Sequence, residues 1–183
     1  GGLYAFDLNG KIIAKSEVLK RPNNVDIAYG LVIDGKKVDV AVTTERENNR
    51  IRVFSLPDLK PIDNGGIAVF DGELERDPMG IALYTRPSDN AIFAIVGRKS
   101  GPSETYLWQY QLTDAGNGKA GANVVRKFGK YSGKKEIEAI AVDNELGVLY
   151  YCDEQFGIRK YKADAALNDN SELALFGQKD FKA

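Results

Sequence analysis

One short pattern returns three times along this chain and leaves few folds open to it. An Ile-Ala pair stands at Ile27-Ala28, Ile81-Ala82 and Ile140-Ala141. Each pair is followed by a second apolar run, at 38–42, 91–96 and 147–152. A third run then closes on an aromatic: Ile51-Arg52-Val53-Phe54, Leu107-Trp108-Gln109-Tyr110 and Ile158-Arg159-Lys160-Tyr161. Leu3-Tyr4-Ala5-Phe6 reads as the same third run without its predecessors. The closing aromatics at 6, 54, 110 and 161 are 48, 56 and 51 residues apart. Short β-rich runs bounded by Gly, Pro, Asn and Asp predict strands, and a period near 50 residues with several strands per unit predicts propeller blades. The expectation is all-β: one β-propeller domain over 1–183, built of four-stranded antiparallel blades. About four units are present, with both end units incomplete, so the chain reads as part of a larger ring. A new blade should open after Phe181-Lys182-Ala183.

Composition narrows the chemistry. The chain has no histidine, which removes serine–histidine catalysis and imidazole-built zinc sites. Its single cysteine, Cys152, excludes an intrachain disulfide and a thiolate cluster, and its apolar surroundings predict a packed strand thiol. A formal net charge of −1 gives no overall basic field for nucleic acid or an anionic membrane, and no apolar run is long enough to span a bilayer. The basic segment Arg126-Lys127-Phe128-Gly129-Lys130 reads as a solvated strand or loop. Catalysis, if present, must rest on carboxylates, Lys, Arg, Tyr, Ser or Thr, or a metal held by oxygen.

The loops entering the innermost strands of a propeller gather at one mouth of its channel. Those segments here are Asn23-Asn24-Val25-Asp26, Asp77-Pro78-Met79-Gly80 and Glu136-Ile137-Glu138-Ala139. The matching ends of the second strands are Thr44-Glu45-Arg46, Gly97-Arg98-Lys99 and Asp153-Glu154-Gln155. Oxygen ligands and cations at repeated positions suit a hard divalent ion and a phosphate-bearing ligand. Ordinary turn chemistry explains the same residues: Asn and Asp bond their own backbone, and strand-end charges are usually solvated. The residues alone leave both readings open. The 57–77 stretch reads as a long polar connection, and 163–170 as a short helical turn or a loop.

Taken in order, the stretches NNVDIAYG, GKKVDVAVTTERENNRIRVFSL, PMGIALYTRPSDNAIFAIVGRKSG, YLWQYQL, EIEAIAVDNELGVLYYCDE and IRKYKAD resemble the β-propeller, calcium-dependent alkaline phytases over about 2–164. The resemblance implies a six-bladed ring that hydrolyses phosphomonoesters of myo-inositol hexakisphosphate. Calcium at the channel mouth would activate water for attack on phosphorus. It implies that Val25 gives a backbone carbonyl to Ca2+, that Glu138 and Glu154 give carboxylates, and that Asn24 and Asp26 support that loop. Arg46 and Lys99 would clamp substrate phosphates as the catalytic cations, with Arg98 as a further substrate-binding candidate. Met79 departs from the family, which commonly has tyrosine there, and this puts rate or substrate preference in question. Other family site residues should lie before Gly1 and after Ala183, so this segment alone is expected to hold about half of the site. The implied protein is a monomer when complete and is secreted, periplasmic or on a bacterial cell surface. A non-catalytic propeller used for binding, and a lactonase-like calcium enzyme, are the competing readings.

Overall fold

The computed structural model describes residues 1–178. The strands are β1 (Tyr4–Phe6), β2 (Ile12–Lys15), β3 (Pro22–Ile33), β4 (Lys36–Glu45), β5 (Arg50–Ser55), β6 (Lys60–Pro61), β7 (Ile67–Ala68) and β8 (Pro78–Thr85). They continue as β9 (Ile92–Arg98), β10 (Leu107–Gly116), β11 (Lys119–Phe128), β12 (Ile140–Asp143), β13 (Val148–Asp153), β14 (Gly157–Lys162) and β15 (Ala174–Phe176). Single 3-10 turns at Arg46–Asn48 and Ala165–Leu167 interrupt them. The second of these falls in 163–170, and the Asp164 side chain caps it by accepting from the Ala166 amide.

The strands form antiparallel meanders in chain order. β1 pairs with β2, β3 to β6 form one sheet, β8 to β11 the next, and β12 to β15 the last. The last sheet has its four strands, so the expectation of an incomplete unit at that end is corrected; β15 supplies the outer strand. In the second sheet the outer strand is broken in two. β6 pairs with one end of β5 and β7 with the other. Between them Asp63 bends inward, and its Oδ2 accepts from the Val53 amide at 2.8 Å. The 57–77 connection is therefore partly strand.

Strand alternation explains the stacking. Successive side chains point to opposite faces. In β9, Ile92, Ala94 and Val96 join one buried cluster while Phe93 and Ile95 join the next. In β4, Val40 and Val42 face the β8–β11 sheet, whereas Ala41 packs in a third cluster with Phe54, Leu59 and residues of β1 and β2. A sheet that is apolar on both faces must be covered on both, and neighbouring sheets do so. The closing aromatics all turn the same way. Phe54, Tyr110 and Tyr161 each pack toward the preceding sheet and are fully or nearly fully buried. Phe6, their counterpart on β1, has no sheet before it among the described residues and is 57% exposed. This is the blade stack of a β-propeller, with β3, β8 and β12 as its inner strands.

The Asn-Asn-Val-Asp stretch is not a turn. It lies inside β3, with a register shift between Pro22 and Val25. The Asn and Asp side chains do what favours turns elsewhere, but they reach other sheets. The Asn23 amide donates to Met79 Sδ at 3.3 Å, the Asn24 amide donates to the Glu138 carbonyl at 3.2 Å, and Asp26 Oδ2 accepts from the Leu83 amide at 2.7 Å.

Candidate active site at the strand-end rim

The register brings one end of each sheet together. The start of β3 faces the end of β4 (Pro22 against Glu45), and the start of β8 faces the end of β9 (Pro78 against Arg98). Glu45, Arg98 and Asp153 occupy equivalent positions. Each stands four residues beyond the partner of its third-strand aromatic: Ala41 opposite Phe54, Ala94 opposite Tyr110, Leu149 opposite Tyr161. All three are buried, at 1%, 0% and 0% exposure.

A buried charge needs partners, and each has them. Glu45 Oε1 accepts from the Lys20 amide at 2.6 Å, and Oε2 pairs with Arg50 and lies 3.8 Å from Arg52 Nη1. Burial pushes the Glu45 carboxyl up, but Arg50, the Lys20 amide and Asn48 outweigh that and hold it below the usual carboxylate range. Asp153 accepts from the Ser132 amide and hydroxyl at 2.9 and 2.7 Å and from Arg159 Nε at 2.9 Å. Arg98 Nη1 donates to the Glu75 carbonyl at 2.9 Å and contacts Glu73 Oε2 at 3.4 Å, while Nη2 donates to the Thr105 carbonyl at 3.1 Å.

The residue after each buried charge is Arg46, Lys99 or Glu154, at the equivalent point on the rim. Arg46 is half-buried, and Lys99 and Glu154 are exposed. Among the described residues none of the three makes an ion pair. Arg46 opens the 3-10 turn, its amide donating to the Arg21 carbonyl at 3.2 Å. The Lys99 amide donates to the Asp77 carbonyl at 2.9 Å. Arg98, expected beside Lys99 as a substrate contact, is placed in the core instead, under Phe70 at 4.6 Å from the ring centroid. Its side chain is fully enclosed, so the expectation of direct phosphate contact is corrected.

The carboxylate side of the rim is also assembled. Glu136, Glu138 and Glu154 line one shallow recess of about 220 Å³ with Ala139 and Cys152. The Cys152 amide donates to the Ala139 carbonyl at 3.0 Å and ties the 136–139 segment to β13. Cys152 lies in β13, half-buried, with its thiol pushed up by burial and by Glu154 and Asp153. The Glu138 carbonyl sits in a niche that only glycine allows: a Cβ on Gly80 would come within 2.3 Å of it. Asn24 donates to that same carbonyl, so Val25 and Glu138 are tied through one hydrogen bond across two sheets. Val25 is 50% exposed. Asp26 fastens β3 to β8.

Oxygen donors of this kind fit a hard cation such as calcium. Among the described residues, however, no three carboxylates or thiols converge closely enough to hold an ion by themselves. Glu138 and Glu154 share one recess, and with the Val25 carbonyl they would need further oxygen donors to hold such an ion. Met79 is fully buried, with its carbonyl accepting from Thr44 Oγ1 at 2.8 Å. It is a packing residue behind the rim and not a rim group. Arg126, in the segment expected to be solvated, is 7% exposed and lies 3.8 Å from the Phe128 ring centroid; its loss of hydration lowers the guanidinium to about 10. Lys127 and Lys130 are exposed as expected.

The stacked meanders and the charged rim define a β-propeller segment with a cation-and-carboxylate mouth. A protein-family model described as Phytase matches residues 1–177, and the chain belongs to that family. It is 31% identical over 169 residues to the 3-phytase of Bacillus subtilis (strain 168), an alignment covering 89% of this chain and 42% of that protein. The chain thus spans less than half the length of that relative. No helix among the described residues is long and apolar enough to cross a membrane.

Proposed function

We propose that this chain is part of a calcium-dependent, phytase-like phosphomonoester hydrolase that releases phosphate from myo-inositol hexakisphosphate. The observation that carries the reading is the rim itself. Arg46, Lys99 and Glu154 stand at equivalent positions of three consecutive blades without ion-pair partners among the described residues, each set by a buried, paired neighbour. Arg46 and Lys99 bind and orient phosphate oxygens of a dense polyanion. A forked guanidinium and a mobile ammonium suit two different phosphates. Glu138, Glu154 and the Val25 carbonyl hold calcium, with Asn24 keeping the Glu138 segment against β3 and Asp26 keeping β3 against β8. Calcium, when bound, neutralises phosphate charge and lowers the pKa of water. The absence of histidine is consistent with that chemistry. Met79, where the family commonly has tyrosine, would favour a non-catalytic propeller if it stood in the site, and its burial behind the rim weakens that reading. The family reading also carries the proposal of a monomeric, secreted, periplasmic or surface-located bacterial protein.

The test uses the longest natural chain that contains this segment. Arg46→Ala and Lys99→Ala should each lower phosphate release from phytate by roughly tenfold to a hundredfold, the range for losing a charged hydrogen bond of about 1.5–3 kcal/mol. Melting temperature should change little, because neither side chain holds the core together. Undiminished release in both variants would remove these residues from the clamp.

A further inference from the structure

We propose that Arg98 is a positioning residue for Lys99, acting from inside the core by locking two loops on which the Lys99 ammonium depends. The inference rests on the phosphate-clamp reading of Lys99 given above.

In the flanking sheets the buried strand-end charge is an acid, Glu45 or Asp153, and the arginine comes from the third strand, Arg52 or Arg159. The middle sheet inverts this. Trp108 takes the third-strand position, and the arginine moves to the second strand as Arg98, immediately before Lys99. A guanidinium fixed there has to find its acceptors in loops. It takes them from both sides: the Glu75 carbonyl and Glu73 carboxylate from the loop before β8, and the Thr105 carbonyl from the loop before β10. Those two loops bracket Lys99. The Lys99 amide bonds the Asp77 carbonyl, and Ser100 Oγ donates to Glu75 Oε1 at 3.0 Å. Phe70 covers the guanidinium, and its own amide donates to Tyr110 Oη at 2.7 Å. Arg98 Nε has no partner among the described residues, so the guanidinium is held by its two nitrogens at the fork.

Gly101 shows how closely the loop closes on this side chain. A Cβ there would fall 2.4 Å from Arg98 Nε, and Gly101 has no unusual backbone conformation of its own. The loop after Lys99 is thus shaped around the guanidinium. Removing either should release Lys99 without removing it.

The experiment is a double-mutant cycle in the longest natural chain, with Arg98→Met, Arg98→Lys, Gly101→Ala, Lys99→Ala and the doubles with Lys99→Ala. Two readouts are taken: phosphate release from phytate, and hydrogen exchange of the amides at 99–105. If Arg98 acts through Lys99, Arg98→Met or Gly101→Ala lowers release about as much as Lys99→Ala. The double variants are then no worse than Lys99→Ala alone, and exchange at Lys99 and its neighbours rises at least tenfold. Gly101→Ala keeps the test open should Arg98→Met fail to fold. Multiplying effects in the doubles, or unchanged exchange in a folded single variant, would overturn the proposal. No phosphate release by wild-type protein, with exchange still raised in the Arg98→Met or Gly101→Ala variant, would overturn the hydrolase reading and leave the loop lock standing. Arg98→Lys should not restore release, because an ammonium cannot serve both loops in the planar fork.

Discussion

At the residue scale, the clearest feature is the pairing of a buried charge with a rim charge one position later. Glu45 illustrates what this costs and what it contributes. Its carboxylate is enclosed with Arg50 and Arg52, and burial opposes the charged form while those partners favour it. The folded pKa lies below the ordinary value, so the group contributes stability that is present above the unfolded pKa and lost as pH falls through the folded pKa. The structure predicts acid destabilisation that begins as pH falls into the normal carboxylate range and is complete below the folded pKa. Glu45→Gln should remove part of that pH dependence and cost about 2 kcal/mol at neutral pH, through the weakened charged bond to Arg50, while Arg52 keeps Asp63 and Glu17. Urea unfolding at several pH values checks both. The rim charges themselves were legible in the sequence. Their buried neighbours were not, because burial of a charge depends on partners such as Arg52, Ser132 and Glu73 that lie on other strands or loops. The strand-end triplets as read from the sequence set Glu154 one position out of step with Lys99. Matching the third-strand aromatics brings Asp153 into line with Arg98 and Glu154 into line with Lys99.

At the element scale, the inner strands are fastened across blades by side chains of β3. Asn23, Asn24 and Asp26 suit a turn by residue type, yet they stand in a strand and bond Met79, Glu138 and Leu83. Sequence does not show whether a polar side chain bonds its own loop or a strand more than fifty residues away. Asp26→Ala should leave the Leu83 amide without its acceptor between β3 and β8 and cost about 2 kcal/mol. Asn24→Ala should cost about 1 kcal/mol in stability, because its single bond to the Glu138 carbonyl is exposed. Its larger consequence should be weaker calcium stabilisation, read as a smaller rise in melting temperature at equal calcium. Gly80→Ala should be worse than either. The atom it would meet at 2.3 Å is backbone, and the Glu138 segment would have to move away from β8. The order of the first three strands of each full blade, by contrast, is legible in the sequence. Period-two apolarity on both faces and the recurring Ile-Ala and aromatic marks identify the three inner strands and the third strands that follow them. The broken outer edge formed by β6, Asp63 and β7 gave no such mark, because a carboxylate stands in for part of the backbone ladder.

At the scale of the molecule, sheets that are apolar on both faces leave the outermost faces of the stack uncovered. Tyr4, Phe6, Ile12 and Ile13 are exposed on one flank, and Ile158 and Phe176 on the other. If the family reading of a longer ring holds, those flanks are interior surfaces. The 183-residue chain on its own should then associate on size-exclusion chromatography, while the longest natural chain stays monomeric. Calcium should raise the melting temperature of that longer chain by mass action, and chelation should reverse the rise.

The measurement that bears most directly on the account is inorganic phosphate release from phytate by the longest natural chain, with calcium and then with a chelator. Release that depends on calcium and is lost in Arg46→Ala and Lys99→Ala is the expected result. A folded protein that releases no phosphate at any calcium concentration would contradict it.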